Sequence, residues 1–318
     1  MARIGPYQLR NPVLLAPMAG ITDAPFRELA WRYGAGYVVS EMLASRDELW
    51  WTEKSRLRRV HVDGIEPRAV QIAGGDPAMV AEAARRHVDD GAQIIDINFG
   101  CPAKKVCRKA AGSQLLREPE LVAAIVRATV AAVPVPVTVK MRTGWSPQLK
   151  NGVSIAHRLQ EEGVAAVTVH GRTRACGFEG EAEHDTVAEI KARLSIPVFA
   201  NGDVTTPEEA RAIRERTGVD GVMIGRGALG APWLLGLVAD PHRREPSACE
   251  KWAVMAEHVA AMHRHYGEER GLRVARKHVR WYLERLTDDP APARAFNKLT
   301  DASAQLDWLA SMAVGAAA

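Results

Sequence analysis

The sequence predicts an α/β protein in which a (β/α)8 barrel is followed by a small all-α helical bundle. Eight short β-branched runs alternate with helix-like stretches over about 240 residues, close to the ~250 residues typical of that barrel. Several runs, among them Ile94-Ile95-Asp96-Ile97 and Val135-Pro136-Val137-Thr138-Val139, are apolar on both faces. Parallel strands covered by helices read that way; half-exposed antiparallel strands do not. Beyond residue 249 the apolar period becomes purely helical. A doubly wound open sheet is the rival arrangement for the same alternation.

The strands are expected at 13–16, 37–40, 69–72, 94–97, 137–141, 166–170, 197–200 and 221–224. Pro77 after Asp76 opens one intervening helix and Pro119 another. Thr206-Pro207-Glu208-Glu209 supplies an N-cap, a proline at the first helical position and acids in the first turn. Gly91 and Gly163 stand where two helices should stop. The expected division is a catalytic barrel over 1–238, a polar, proline-marked linker over 239–249, and a helical domain over 250–318. In that domain Trp252, Met255, Val259, Met262 and Tyr266 form one stripe, and Leu272, Ala275, Val279, Tyr282 and Leu286 a second. Leu306, Leu309 and Ala313 form a third after Asp301, a candidate cap. Such stripes are the core seams of a bundle.

Composition narrows the class. With 47% apolar and 25% charged residues, the chain is not a disordered one. No apolar run approaches the roughly 20 residues of a membrane span. The four cysteines show no CxxC pair, and the N-terminus lacks a secretion signal, so a reducing, cytoplasmic setting is expected.

In a barrel, reactive groups sit at the C-terminal strand ends and in the loops beyond them. Those positions hold Pro17-Met18-Ala19, Glu41, Gln71, Asn98 to Cys101, Lys140 to Arg142, His170 to Arg172, Asn201 to Asp203, and Gly225-Arg226. Any one of them could be a satisfied turn residue; seven or eight in register make a site. The last two loops, Asn201-Gly202-Asp203 and Gly225-Arg226-Gly227, suit a phosphate grip. Lys140 ends an apolar strand, where its ammonium could stabilise a developing anion or close a salt bridge. Gln71 could pair with the edge of a pyrimidine-like ring or simply serve a turn. Cys101, between Gly100 and Pro102, could be nucleophile, proton donor or packing. No His or Cys at ligand spacing accompanies it, so no metal is expected.

Ala16-Pro17-Met18-Ala19-Gly20-Ile21-Thr22-Asp23, Asn98-Phe99-Gly100-Cys101-Pro102, Lys140-Met141-Arg142-Thr143-Gly144, His170-Gly171-Arg172-Thr173 and Asn201-Gly202-Asp203 together resemble the tRNA-dihydrouridine synthase family. Arg172-Thr173-Arg174-Ala175-Cys176 and Ala275-Arg276-Lys277-His278 resemble its bacterial B-type branch. The resemblance implies FMN at the barrel mouth, NADPH as reductant, and a uridine of the tRNA D-loop as substrate, with position 17 suggested. It implies hydride transfer from flavin N5 to uracil C6 and protonation of C5 by Cys101. It places Pro17, Met18, Ala19, Gln71, Lys140 and His170 on the flavin ring side. Asn201, Gly202, Asp203, Gly225 and Arg226 take the phosphate and ribitol side, and Asn98, Arg142 and Arg172 lie near the uracil.

Two basic patches fit an RNA partner. Arg273, Arg276, Lys277 and Arg280 recur at i, i+3, i+4 and i+7 on one helix. Lys104, Lys105, Arg108, Lys109 and Arg117 crowd the loop beside Cys101 without an acid until Glu118. Flanking one mouth, they would form a phosphate track on tRNA; a solvated charged face is the plain alternative. A monomer without DNA or membrane partner is expected. A flavin dehydrogenase of a free pyrimidine and a non-catalytic RNA-binding or regulatory protein are the competing readings.

Overall fold

The computed structural model describes residues 2–107 and 111–315; Arg108, Lys109 and the side chains of Lys104 and Lys105 lie outside the described set. A hairpin of β1 (Arg3–Ile4) and β2 (Tyr7–Gln8) opens the chain. Then follow β3 (Val13–Leu15), β4 (Tyr37–Val38), β5 (Leu43–Ala44), β6 (Ala69–Ala73), β7 (Ile94–Phe99), β8 (Val137–Arg142), β9 (Ala166–His170), β10 (Val198–Asn201) and β11 (Gly221–Ile224). All nine are parallel, in the order β4-β3-β11-β10-β9-β8-β7-β6-β5. A parallel bridge between Val39 and Ala69 joins the two ends of that order. The sheet is therefore a barrel of eight staves. Its second stave is broken: β4 pairs with β3, the chain bends over 39–42, and β5 rejoins on β6. The sequence reading placed one unbroken strand at 37–40.

Around the barrel run α1 (Ala24–Arg32), α2 (Glu53–Arg59), α3 (Pro77–Asp89), the short α4 (Lys104–Cys107), α5 (Pro119–Ala132), α6 (Gly152–Glu161), α7 (Asp185–Arg193), α8 (Pro207–Thr217) and α9 (Leu234–Ala239). Their ends form where the punctuation indicates. The Asp76 carboxylate accepts from Met79 N–H, and Thr206 and Glu209 close a reciprocal capping box. Gly91 and Gly163 adopt φ of +95° and +91°, where a β-carbon would be strained.

Apolar side chains form two clusters. One fills the barrel lumen with Leu14, Tyr37, Ala69, Ile94, Phe199 and Met223, and the hairpin's Ile4 and the following Leu9 plug its base. The larger cluster lies between strands and helices. It continues without a break into α10 (Ala248–Tyr266), α11 (Glu268–Leu286), α12 (Ala291–Asn297) and α13 (Ala302–Gly315). Trp252, Met255, Val279 and Tyr282 belong to the same cluster as Phe26 and Trp233. The three apolar stripes lie on α10, α11 and α13, and Asp301 accepts from Ala304 N–H at the start of the last. The irregular connection runs only from 240 to 247, because Ser247 and Glu250 cap α10 earlier than the apolar period suggests. No described helix is long and apolar enough to cross a membrane.

Candidate active site

The C-terminal ends of the staves surround a cavity of about 580 Å³, within the range of cofactor and substrate sites. Pro17, Met18, Ala19, Gln71, Asn98, Cys101, Lys140, Arg142, His170, Asn201, Gly202, Asp203, Gly225 and Arg226 all line it. Ala16, Met18, Ile21 and Met42 contribute apolar lining.

One side is organised by Asn201. Its amide nitrogen donates to the Met223 carbonyl at 2.7 Å, which turns its Oδ1 toward the cavity as an acceptor. That oxygen receives Lys140 Nζ at 2.9 Å and pairs with His170 Nδ1 at 2.9 Å. Since the oxygen can only accept, His170 carries its proton on Nδ1. Its buried Nε2 has no hydrogen-bond partner. Burial, then the nearby Lys140 and Arg142 cations, push the imidazole down to about 3, so it is neutral at physiological pH. Burial likewise lowers Lys140 to about 8, with Arg142 adding to the effect and Asp96 opposing it.

The opposite side is a chain of amides. Thr138 Oγ1 donates to Asp96 at 2.6 Å, and Gln71 Nε2 donates to the other Asp96 oxygen at 2.7 Å. Asn98 Nδ2 donates to Gln71 Oε1 at 2.8 Å. Asn98 Oδ1 then accepts the N–H groups of Gly100 and Cys101, at 3.1 and 2.9 Å. On its other side, the Cys101 carbonyl accepts from Ser113 N and Oγ, at 3.1 and 2.9 Å. The cysteine is thus held by its backbone on both sides, leaving the thiol to face the cavity. Burial raises its pKa above the ordinary thiol value, so near pH 7 it is a neutral thiol, chemically able to give up a proton.

Asp203 sits at φ +50°, a conformation non-glycine residues rarely adopt. It is held there by Arg172, whose two terminal nitrogens reach its carboxylate at 2.9 and 2.7 Å, and by Ala182 N–H at 2.7 Å. Although burial acts in the other direction, those donors keep Asp203 below the usual carboxylate range. Arg226 approaches the same carboxylate at 3.4 Å.

Two expected placements differ. Arg172 does not line the cavity; besides Asp203 it donates to the Glu179 and Gly180 carbonyls, and its side chain is 3% exposed. Its donors fix a loop, because a guanidinium beyond a strand end can turn away from the mouth and satisfy its N–H groups on a carboxylate and carbonyls. On α11, Arg273 and Arg280 are exposed and ion-paired to Glu269 and Glu284, whereas Arg276 and Lys277 are half-buried. Arg276 donates to the Leu299 carbonyl at 3.2 Å, and Lys277 Nζ donates to the Gly20 carbonyl. The helix packs on three sides, so its free face is narrower than its sequence period suggests. Arg117 stacks on the Trp145 ring, 5.0 Å from its centroid.

Sequence reasoning missed Phe178, which lines the cavity while 58% exposed. Arg142 and Arg226 lie 5.4 and 5.3 Å from its ring centroid, in cation–π range. Its signal was present: a lone aromatic between Gly177 and Gly180 in the loop beyond His170. Asp96 and Thr138, inward-facing inside strands, were also missed because an alternation of polar residues within a buried strand gives no separate motif.

The chain is similar to known proteins along nearly its whole length. The model of the family described as dihydrouridine synthase (Dus) matches residues 14–317. The chain is 55% identical over 310 residues to tRNA-dihydrouridine synthase B of Pseudomonas aeruginosa, covering 96% of this chain and 93% of that one. It is 52% identical over 312 residues to tRNA-dihydrouridine synthase B of Salmonella typhimurium, covering 96% and 97%. Among solved structures, the old yellow enzyme homologue of Zymomonas mobilis aligns with a TM-score of 0.57 at 14% identity, over 79% of this chain and 94% of that chain. Morphinone reductase in complex with tetrahydroNAD aligns with a TM-score of 0.55 at 14% identity, over 74% and 88%. Those two likenesses concern the barrel fold alone. With a family model spanning nearly its whole length and relatives above half identity, the chain belongs to the dihydrouridine synthase family.

Proposed function

We propose that this protein is a flavin-dependent oxidoreductase that reduces the C5–C6 bond of a D-loop uridine in tRNA, at position 17, with FMN as cofactor and NADPH as reductant. It acts as a cytoplasmic monomer. The observation that carries the reading is that Cys101 and Lys140, 39 positions apart in sequence, line one cavity with a phosphate-suited wall of Gly202, Asp203, Gly225 and Arg226. The identity to relatives named tRNA-dihydrouridine synthase B supports the substrate class.

The residues suit a flavin on structural grounds. The unpartnered Nε2 of His170 and the adjacent Lys140 ammonium present an acceptor and a cation to the same space. Met18, Ile21 and Met42 line the same cavity and give it apolar surface. A planar ring with hydrogen-bonding edges meets both demands. When bound and reduced, such a flavin supplies hydride to C6 of the uracil.

The protein's own groups do the remainder. Lys140 would provide positive charge beside a bound flavin's ring edge and to the pyrimidine carbonyl as negative charge develops there, a preorganised stabilisation. Cys101, held as a thiol, delivers a proton to C5 and completes the reduction. Asn98 fixes the Cys101 backbone while its amide remains on the cavity wall, and Arg142 braces the same loop through the Gly100 carbonyl at 2.7 Å. Phe178 offers a face at the entrance. Arg273 and Arg280 sit in exposed i,i+4 pairs, which contribute little, so phosphates can displace their glutamates. Together with Arg276, Lys104 and Lys105 they form the proposed RNA track.

The test is to map dihydrouridine in tRNA from a strain lacking this gene, before and after restoring the wild-type or the Cys101→Ala form. Loss of the modification at position 17, recovered only by the wild type, is expected. A deletion strain whose tRNA keeps every dihydrouridine would refute the proposal.

A further inference from the structure

The loop after β3 is tied into a single unit. Met18 N–H donates to Thr22 Oγ1 at 2.8 Å, and the Ile21 and Thr22 N–H groups donate to the Met18 carbonyl at 2.9 and 3.0 Å. Three residues of that unit, Met18, Ala19 and Ile21, line the cavity. At its apex Gly20 adopts φ +80° and is gripped from both sides. The barrel holds its N–H, which donates to Glu41 Oε1 at 2.5 Å, and Glu41 is paired with Arg58 at 3.1 Å. The helical unit holds its carbonyl, which accepts from Lys277 Nζ. One turn of loop further on, Asp23 caps α1 through Phe26 N–H at 3.0 Å while its other oxygen accepts from Tyr266 Oη at 2.8 Å. Tyr266 ends α10 and Lys277 lies in α11, so two helices of the appended unit grasp one cavity-lining loop 243 and 257 residues away in sequence.

We propose that Lys277 is a positioning residue that holds the Gly20 carbonyl, and with Tyr266 sets the Met18–Ile21 wall of the reaction cavity, rather than a ligand of an RNA phosphate. The proposal deepens the reading of the site as a tRNA-uridine reductase and rests on it for its kinetic arm. A half-buried ammonium donating to a backbone carbonyl is poorly placed to follow a mobile polyanion. Small displacements of a wall beside reacting atoms are costly, since a shift of ~1 Å can reduce rate by ~10²-fold. The helical unit would then do more than bind RNA: its seating would determine whether the cavity is shaped for turnover.

Hydrogen exchange on the purified flavin-bound protein, comparing wild type with Lys277→Met, Lys277→Arg and Tyr266→Phe, tests this. In Lys277→Met, exchange at the Gly20, Ile21 and Thr22 amides should quicken about tenfold, with strand amides such as those of Ile95 and Val139 unchanged. Turnover of tRNA should fall by about tenfold in kcat, while the salt dependence of tRNA binding stays at the wild-type slope. Lys277→Arg should recover part of the protection, and Tyr266→Phe, which deletes one hydroxyl, should loosen the same amides to a smaller extent. Unchanged protection at Gly20–Thr22 in Lys277→Met overturns the proposal. So does a salt slope reduced by about 0.7–0.9, the mark of one lost phosphate contact. Should wild-type protein fail to act on tRNA at all, the substrate reading falls while the exchange arm still decides the role of Lys277.

Discussion

Replacing Lys140 by methionine separates what the site costs from what it does. Methionine matches the length of the lysine stem and removes its charge. In the folded protein burial lowers Lys140 from 10.5 to about 8, which corresponds to about 3 kcal/mol disfavouring the charged form. Because the folded value is the depressed one, that cost is complete below pH 8 and fades as pH climbs from 8 towards 10.5. Between pH 6.5 and 9 the stability of the wild type should therefore rise by about 1.4 kcal/mol relative to Lys140→Met. Methionine also forfeits the hydrogen bond to Asn201 Oδ1, worth about 1.5–3 kcal/mol when the donor is charged. The two effects nearly cancel at neutral pH, so net stability there should change by less than about 2 kcal/mol. Activity has no such compensation and should drop by about 10²–10³-fold. Urea denaturation of the flavin-free proteins at both pH values, beside steady-state turnover, measures all three quantities. Parallel pH dependence in the two proteins, or wild-type turnover in the variant, would refute the reasoning.

Other consequences are as specific. Turnover should be level near pH 7 and decline above about pH 8 as Lys140 loses its proton, while His170 stays neutral and Cys101 stays protonated through the start of that fall; turnover undiminished at about pH 9.5 would contradict a role for the Lys140 charge. Cys101→Ala should retain bound flavin and its yellow colour while turnover falls about 10²–10⁴-fold, and full activity would remove the proton-donor role. Gly202→Ala forces a β-carbon to 2.7 Å from Ala182 Cβ at φ +123°, so stability should fall by about 1–3 kcal/mol with weaker flavin retention, read by thermal denaturation and by flavin loss on dialysis. Arg172→Lys should cost about 2–4 kcal/mol, since an ammonium cannot reproduce the forked contact with Asp203; a denaturation midpoint equal to wild type would show that the fork is dispensable.

The barrel and its mouth were legible because each depends on local chemistry. A parallel strand buried on both faces must be apolar, so a polar residue in or at the end of its C-terminal half stands out, and Gln71, Lys140 and Asn201 could be placed near the mouth by counting. What direction a long side chain takes could not be counted. Arg172 and Arg142 leave adjacent staves, yet one turns into the protein to hold Asp203 while the other lines the cavity. Lys277 and Arg273 share a helix and a charge, yet only the barrel's proximity distinguishes a buried strut from a solvated cation. The break in the second stave was hidden for a related reason: 39–42 reads as ordinary strand and turn, and only the closure between Val39 and Ala69 makes the bend necessary. Phe178 was hidden by its loop, where no periodicity marks an inward or outward face.

The unbroken apolar cluster joining barrel shell and terminal helices has a practical consequence for anyone dividing the chain. A fragment ending near residue 239 would bare Phe26 and Trp233 to water, and the excised helices would bare Val279 and Tyr282 in turn. Neither piece would survive as a soluble module, so swapping tails between relatives to retarget them requires transplanting α1 and the stretch around Trp233 together with the graft.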